Sequence, residues 1–185
     1  MTRDLQPPFQ LGPMPGEAEM EEVDSQYVHA PARLIFELAS NVEKWPAYLP
    51  HYRYVRFTEK RSDGGGIVEM SANRPFIIKG LRGAGALNWP TWWRSEMAID
   101  DAIPSIRFRH VGGITKGMEV EWTFIPAPNG SHVRIVHMWD GPNVPEIGPF
   151  IAAQVIGPVF IHGIASRTLA GLATVAEKKS RTVSN

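Results

Sequence analysis

The alternation of apolar and polar positions through the middle of the chain predicts β-structure. Each run of alternating residues ends at a turn rich in glycine, aspartate or asparagine, such as the turns at residues 63–65 and 128–130. One further strand is predicted nearer the N-terminus, ahead of two short helices. The seven predicted strands cover residues 18–29, 51–60, 66–74, 91–99, 105–111, 117–125 and 132–139.

Helical patterns flank this β-region on both sides. Residues 30–39 predict a short helix with Pro31 in its first turn. A second short helix is predicted around residues 43–45, capped by Asn41 and ended by Pro46 or Pro50. Residues 149–179 predict a helix of about 46 Å, with a kink at Pro158. Its apolar stripe comprises Ile156, Phe160, Ile164, Thr168, Leu172 and Val175.

The long C-terminal segment leaves two other interpretations open. It can be an ordinary helix packed in the core, without a binding role. It can also be a membrane span, because residues 147–165 contain no charged side chain. Pro149, Pro158, Gln154 and His162 interrupt that run, and no second span of this kind follows. The pattern therefore favours a helix that lies against a sheet.

The order of elements predicts an α+β fold. One strand, two short helices, a run of antiparallel strands and a long final helix are typical of a bent sheet wrapped around that helix. We expect a flexible N-terminal arm over residues 1–17, one ligand-binding domain over residues 18–179, and a tail over residues 180–185.

Composition excludes several classes of function. The 185 residues include 19 basic and 19 acidic side chains, which gives no support for nucleic-acid binding. The chain has no cysteine, so thiolate chemistry and disulfides are excluded. His132 and His137 point to opposite faces of one predicted strand, and no other pair has ligand spacing, so we expect no metal and no cofactor. The N-terminus has no apolar signal segment, and a cytoplasmic protein is the default expectation.

Three blocks of sequence carry a resemblance to a known superfamily. They are APARLIFEL at residues 30–38 with WPAYLP at 45–50, GMEVEWTF at 117–124 with VRIVH at 133–137, and FIHGIASRTL at 160–169. The chain resembles the helix-grip (SRPBCC) superfamily of START lipid-transfer domains, pollen-allergen-like carriers and polyketide cyclases. The likeness is to its polyketide cyclase/dehydrase and coenzyme Q-binding branch. It implies a curved seven-stranded antiparallel sheet around a long C-terminal helix, with a cavity for a hydrophobic, often cyclic or isoprenoid, small molecule.

Strand parity places a few polar residues on the face that the resemblance assigns to this cavity. Arg74, His110 and His137 are the catalytic candidates, since an arginine can hold a carbonyl or enolate oxygen and a histidine can transfer a proton. Each has a structural alternative: a buried histidine is often scaffold, and Arg74 can lie at the rim in water. The predicted cavity-lining residues are Trp93, Ser95, Phe108, Trp122, Ile156, Phe160 and Ile164.

These residues support two functions from different classes. The first is a cyclase/dehydratase-type protein acting on a polyketide-like substrate, and the second is a non-catalytic carrier of a lipid, quinone or isoprenoid. A third interpretation is a membrane-interface protein with transient membrane contact, which uses the apolar start of the C-terminal helix and residues 75–90 as a mobile flap at the cavity mouth. Arg107, Arg109, Glu119 and Glu121 are expected to form a solvated charged face. The pattern does not predict the oligomeric state.

Overall fold

A single antiparallel sheet dominates the structure, a computed structural model that describes residues 10–76, 87–142 and 162–183. The seven strands follow the order β1-β7-β6-β5-β4-β3-β2, so the first strand pairs with the last. The predicted helix-grip fold and all seven predicted strands are confirmed. The strands are β1 (Met20–Val28), β2 (Tyr52–Lys60), β3 (Gly66–Phe76), β4 (Leu87–Asp100), β5 (Ser105–Gly113), β6 (Glu119–Ala127) and β7 (Gly130–Trp139).

Two short helices follow β1, as predicted. Helix α1 (Ala32–Ser40) is followed by a 3₁₀ turn (Val42–Lys44) and by α2 (Trp45–Tyr48). The expected stop at Pro46 is wrong: Pro46 lies in the first turn of α2, where a backbone N–H has no helical partner to lose. The expected Asn41 side-chain cap is also wrong, because that side chain makes no capping hydrogen bond.

The long C-terminal helix α3 (His162–Val183) packs against β1 and α1. Leu169, Leu172 and Ala176 are buried on the side of α3 that meets the core. A Cβ at Gly171 would overlap Leu49, so the helix lies unusually close to the chain after α2. The predicted helical segment before His162, with its kink at Pro158, lies outside the described residues. None of the described helices has the length and apolar character needed to cross a membrane.

The concave face of the sheet carries the core, as strand parity predicted. Val133 and Ile135 of β7 are fully buried, and Val68 of β3 and Ile106 of β5 are equally enclosed. The inward residues of neighbouring strands therefore form one apolar layer against α1 and α3. The candidate site lies against this apolar layer.

The convex face departs from the solvated surface expected for its charged residues. The Glu119 side chain is only 10% exposed, and it accepts hydrogen bonds from Arg107, at 3.0 Å, and Arg109. The same two arginines donate to the carbonyls of Gly12 and Leu11, each at 2.8 Å. Glu119 is buried because the chain around Leu11 lies over it, so the expectation of a fully solvated face is wrong here.

Candidate functional site

A cavity lies between the concave face of the sheet and the first turns of α3. Its empty volume is about 590 Å³, counting the part that opens to solvent. The walls come from α2, from six of the seven strands, from the turn between β5 and β6, and from α3. The lining residues are Trp45, Tyr52, Met70, Trp93, Phe108, His110, Thr115, Met118, Val120, Trp122, His137, Ile164, Ala165 and Thr168.

Aromatic rings form a continuous arc along one side of this cavity. Trp122 lies 5.9 Å from Trp45, Trp45 lies 5.2 Å from Tyr52, and Tyr52 lies 6.2 Å from Trp93, measured between ring centroids. Trp93 then stacks on the His110 ring at 6.1 Å with an interplanar angle of 16°. Such a wall offers broad apolar contact to a flat or cyclic ligand.

Thr168 of α3 is the centre of a closed hydrogen-bond network in the cavity wall. Its hydroxyl donates to the Ile164 carbonyl at 2.8 Å, which uses its only proton. The Tyr52 hydroxyl, at 3.2 Å, and the His51 Nε2, at 3.1 Å, must therefore both donate to the Thr168 oxygen. Burial, followed by the charge of Arg167, lowers the pKa of His51 to about 4, and burial raises that of Tyr52 well above its ordinary value. The network joins α3 to the start of β2 with neutral groups.

His110 of β5 makes the second polar contact of the cavity. Its Nδ1 lies 2.7 Å from the hydroxyl of Thr115, which belongs to the turn between β5 and β6. That turn is tight, because Gly117 N donates to the His110 carbonyl and Met118 N to the Thr115 carbonyl. Burial, with a smaller contribution from the neighbouring His137, lowers the pKa of His110 to about 3.

His137 of β7 is buried in the wall opposite α3. Its Nδ1 has no exposed surface and no hydrogen-bond partner among the described residues. Burial lowers the pKa of His137 to about 3, so this ring is also neutral at physiological pH. The cavity thus holds two uncharged imidazoles in an apolar setting.

No side chain known to line the cavity carries a formal charge at neutral pH, within the part of the chain that the structure describes. The described residues also contain no group of three or more histidine, aspartate or glutamate side chains placed to hold a metal ion. The arrangement can bind apolar surface and exchange hydrogen bonds with neutral oxygens. Its described side chains include no cation that could pair with a buried anion.

Comparison with known proteins assigns the chain to a family. Residues 28–160 match the sequence profile of the family described as polyketide cyclase / dehydrase and lipid transport. This chain belongs to that family. The fold of the polyketide cyclase/dehydrase family supports the binding of a hydrophobic small molecule, in agreement with the apolar cavity. A search of curated proteins finds no significant match.

Solved structures share the fold at low sequence identity. The aromatase/cyclase Zhui from Streptomyces sp. R1128 has a TM-score of 0.69 at 18% identity, covering 86% of this chain and 94% of that one. The Thermus thermophilus protein TTHA0849 gives 0.67 at 19% identity, covering 87% and 99%. A START superfamily protein from Mycobacterium smegmatis gives 0.56 at 17% identity, covering 88% and 98%. At these identities the likeness establishes the fold alone.

The structure brings most of the sequence-predicted site residues around this cavity. Ser95 is an exception: it is fully buried between Val68 and His110 of the adjacent strands, and its short side chain does not reach the lining. Arg74 lies on β3, paired with Trp89, but its side chain is outside the described part, as are Ile156 and Phe160. The predicted residues that line the cavity are Trp93, Phe108, His110, Trp122, His137 and Ile164.

Several lining residues were not among the sequence candidates. Trp45 and Tyr52 reach the cavity from α2 and from the first position of β2, where neither a helical stripe nor strand alternation is long enough to orient a side chain. Thr115 lies in a turn, which has no periodicity to read. Thr168 did give a signal, because it falls on the predicted apolar stripe of α3 although it is polar.

Proposed function

We propose that this chain binds a hydrophobic, ring-forming small molecule in its cavity and acts on it as a polyketide cyclase/dehydratase-like protein. The observation that carries this proposal is the pair of neutral imidazoles, His110 and His137, set in an otherwise apolar and aromatic cavity. A ligand pocket of this kind holds its ligand by apolar contact and orients it by a few polar groups.

The reaction would need proton transfer at an otherwise apolar site. One imidazole would accept a proton from a carbon beside a ketone, and the enolate carbon would form a bond to a second carbonyl carbon, whose oxygen takes up a proton. Loss of that hydroxyl with a neighbouring proton would release water and leave a double bond. A developing oxyanion near the ring raises the pKa of the imidazole, because the charged form then gains a partner. We assign the proton transfer to His110 and an orienting polar contact to His137, with Arg74 as a candidate to hold the oxyanion.

The experiment is a reconstituted polyketide synthesis with and without this protein. Products would be separated by liquid chromatography and identified by mass spectrometry, for the wild type and for His110→Asn and His137→Asn. We expect the wild type to shift the mixture from spontaneous products to one cyclised, dehydrated product, and each variant to lose at least half of that shift. A mixture unchanged by the wild type would contradict the catalytic part.

A non-catalytic carrier is the second candidate, and a specific observation favours it. Trp92 on the convex face of β4 is 50% exposed, and Ile114, in the turn that also carries Thr115, is 55% exposed. Exposed apolar side chains whose neighbours in sequence, Trp93 and Thr115, line a cavity suit a protein that takes a lipid, quinone or isoprenoid from a membrane surface.

Carriage has its own measurement. The protein would be purified from its own host, examined by native mass spectrometry, and mixed with vesicles containing a fluorescent quinone or isoprenoid. A co-purifying ligand and transfer between vesicles, reduced in Trp92→Ser, support the carrier. An empty protein that transfers nothing rules it out. Val23→Ser is the matched control, because Val23 is similarly exposed, at 41%, on the distant edge strand β1.

A further inference from the structure

Most hydrogen-bonding groups in the cavity wall are already paired within the protein. The Tyr52 hydroxyl and the His51 Nε2 donate to Thr168, whose own proton goes to the Ile164 carbonyl. A ligand would have to break this network to gain a donor from it, at a cost of about 1–3 kcal/mol for each buried group left unpaired. The network is therefore part of the wall.

The side chains of His110 and Thr115 are also paired, because they form a hydrogen bond with each other. The 2.7 Å contact between His110 Nδ1 and the Thr115 hydroxyl uses one ring nitrogen, whichever group donates. Among the polar residues that line the cavity, His137 is therefore the one whose ring has no hydrogen-bond partner among the described residues.

The environment of His137 determines which nitrogen carries its proton. Its Nδ1 is enclosed, without exposed surface or a partner among the described residues. A buried N–H with no acceptor is rarer than an acceptor without a donor, so the neutral ring should carry its proton on Nε2. Because the protein encloses Nδ1, a ligand can form a hydrogen bond with this ring only through Nε2. The ring therefore presents a hydrogen-bond donor.

We propose that His137 holds a neutral carbonyl oxygen of the ligand through its Nε2–H. This inference rests on the proposed ligand-binding function and names the chemistry that the cavity recognises. A ketone, quinone or ester oxygen accepts the Nε2 proton and demands no counter-ion.

Two naphthalenes of matched size test this hydrogen bond. They are 2-acetylnaphthalene as the ketone and 2-ethylnaphthalene as the hydrocarbon. Their dissociation constants at pH 7 would be measured by quenching of tryptophan fluorescence, since Trp45, Trp93 and Trp122 line the cavity. The ratio of the hydrocarbon constant to the ketone constant would be compared between wild type and His137→Phe, which cancels the different solvation of the two ligands in water.

We expect that ratio to fall about five- to tenfold in His137→Phe, the equivalent of one lost hydrogen bond. His132→Phe should keep the wild-type ratio, because His132 is exposed on the opposite face of the same strand. In the unliganded wild type, long-range ¹⁵N–¹H correlation spectra should show His137 as the Nε2–H tautomer.

Two results would overturn the inference. One is a His137 ring protonated on Nδ1, a measurement on the wild type that does not depend on whether a variant folds. The other is an unchanged ratio in a folded His137→Phe. If neither naphthalene bound the wild type, the proposed function itself would fail, and the two failures are thereby distinguished.

Discussion

Acidification should destabilise the fold through the buried imidazoles of His110 and His137. Both have folded-state pKa values of about 3, against an ordinary value of 6.5. Below pH 6.5 the unfolded chain therefore binds protons that the folded chain excludes. Stability is fully present above 6.5 and is lost progressively as the pH falls towards 3, because the depressed pKa belongs to the folded state.

The magnitude follows from one proton per ring. The free energy of unfolding changes by about 1.4 kcal/mol per pH unit for each histidine. At pH 5 each buried ring therefore lowers it by about 2 kcal/mol, and the pair by about 4 kcal/mol. The carboxylates act at lower pH: the pKa of Glu69 is held below 4.5 by Arg56, Arg94 and Tyr54, so its contribution is lost below that value. The window between pH 5 and 6 therefore isolates the histidines.

The assay is urea unfolding followed by tryptophan fluorescence between pH 5 and 7.5. His110→Phe and His137→Phe should each reduce the slope of the unfolding free energy between pH 5 and 6 by about 1.4 kcal/mol per unit. His132→Gln is the control, since that ring is exposed to water in the folded protein. His51, with a pKa of about 4, adds a slope that both variants retain.

A variant slope equal to that of the wild type would refute this reasoning. So would a native-state titration by NMR in which either ring takes up its proton near pH 6. Either result would mean that water reaches the imidazoles and that the cavity is not the low-dielectric site on which the proposed chemistry depends.

Three further changes test other parts of the site. Thr168→Val should lower the free energy of urea unfolding by about 2–4 kcal/mol, because two buried donors lose their acceptor. Adding Tyr52→Phe to this variant should recover part of the loss, since it removes one unpaired donor. A loss below about 1 kcal/mol for Thr168→Val contradicts the network. Ile164→Trp should fill the cavity and weaken an apolar fluorescent probe at least tenfold, whereas unchanged affinity in a folded variant counts against this cavity. Arg74→Met should lower affinity or turnover without loss of melting temperature; normal binding with reduced stability removes Arg74 from the site.

Strand alternation was a sufficient signal for most of the sheet. Along β7 the residues assigned to the concave face, Val133 and Ile135, are fully buried, because a period of two leaves only two choices of face. The same rule placed Trp93, Phe108 and Trp122 at the cavity. It gave the face of Ser95 correctly and still overstated its role, since parity says nothing about how far a side chain reaches.

The contacts that the sequence did not predict join distant positions. Thr168 meets His51 and Tyr52 across 117 and 116 positions, and Arg109 meets the Leu11 carbonyl across 98. The periodicity of the sequence cannot predict such pairs, because they depend on how the sheet curves and on where the N-terminal arm lies. The burial of Glu119 under that arm was missed for this reason.

The two candidate functions make opposite demands on the same rings. A carrier needs histidines that stay neutral and donate or accept hydrogen bonds, which a pKa of about 3 provides at any physiological pH. A cyclase needs one of them to take a proton, and a base this weak does so only when an oxyanion forms beside it. Catalysis would therefore depend on where the ligand places its oxygen. Because Trp45, Tyr52, Trp93 and Trp122 reach the cavity from four different elements, ligand shape decides that position. The same cavity would then turn over a ligand that brings an enolisable carbonyl to His137 and simply hold one that does not.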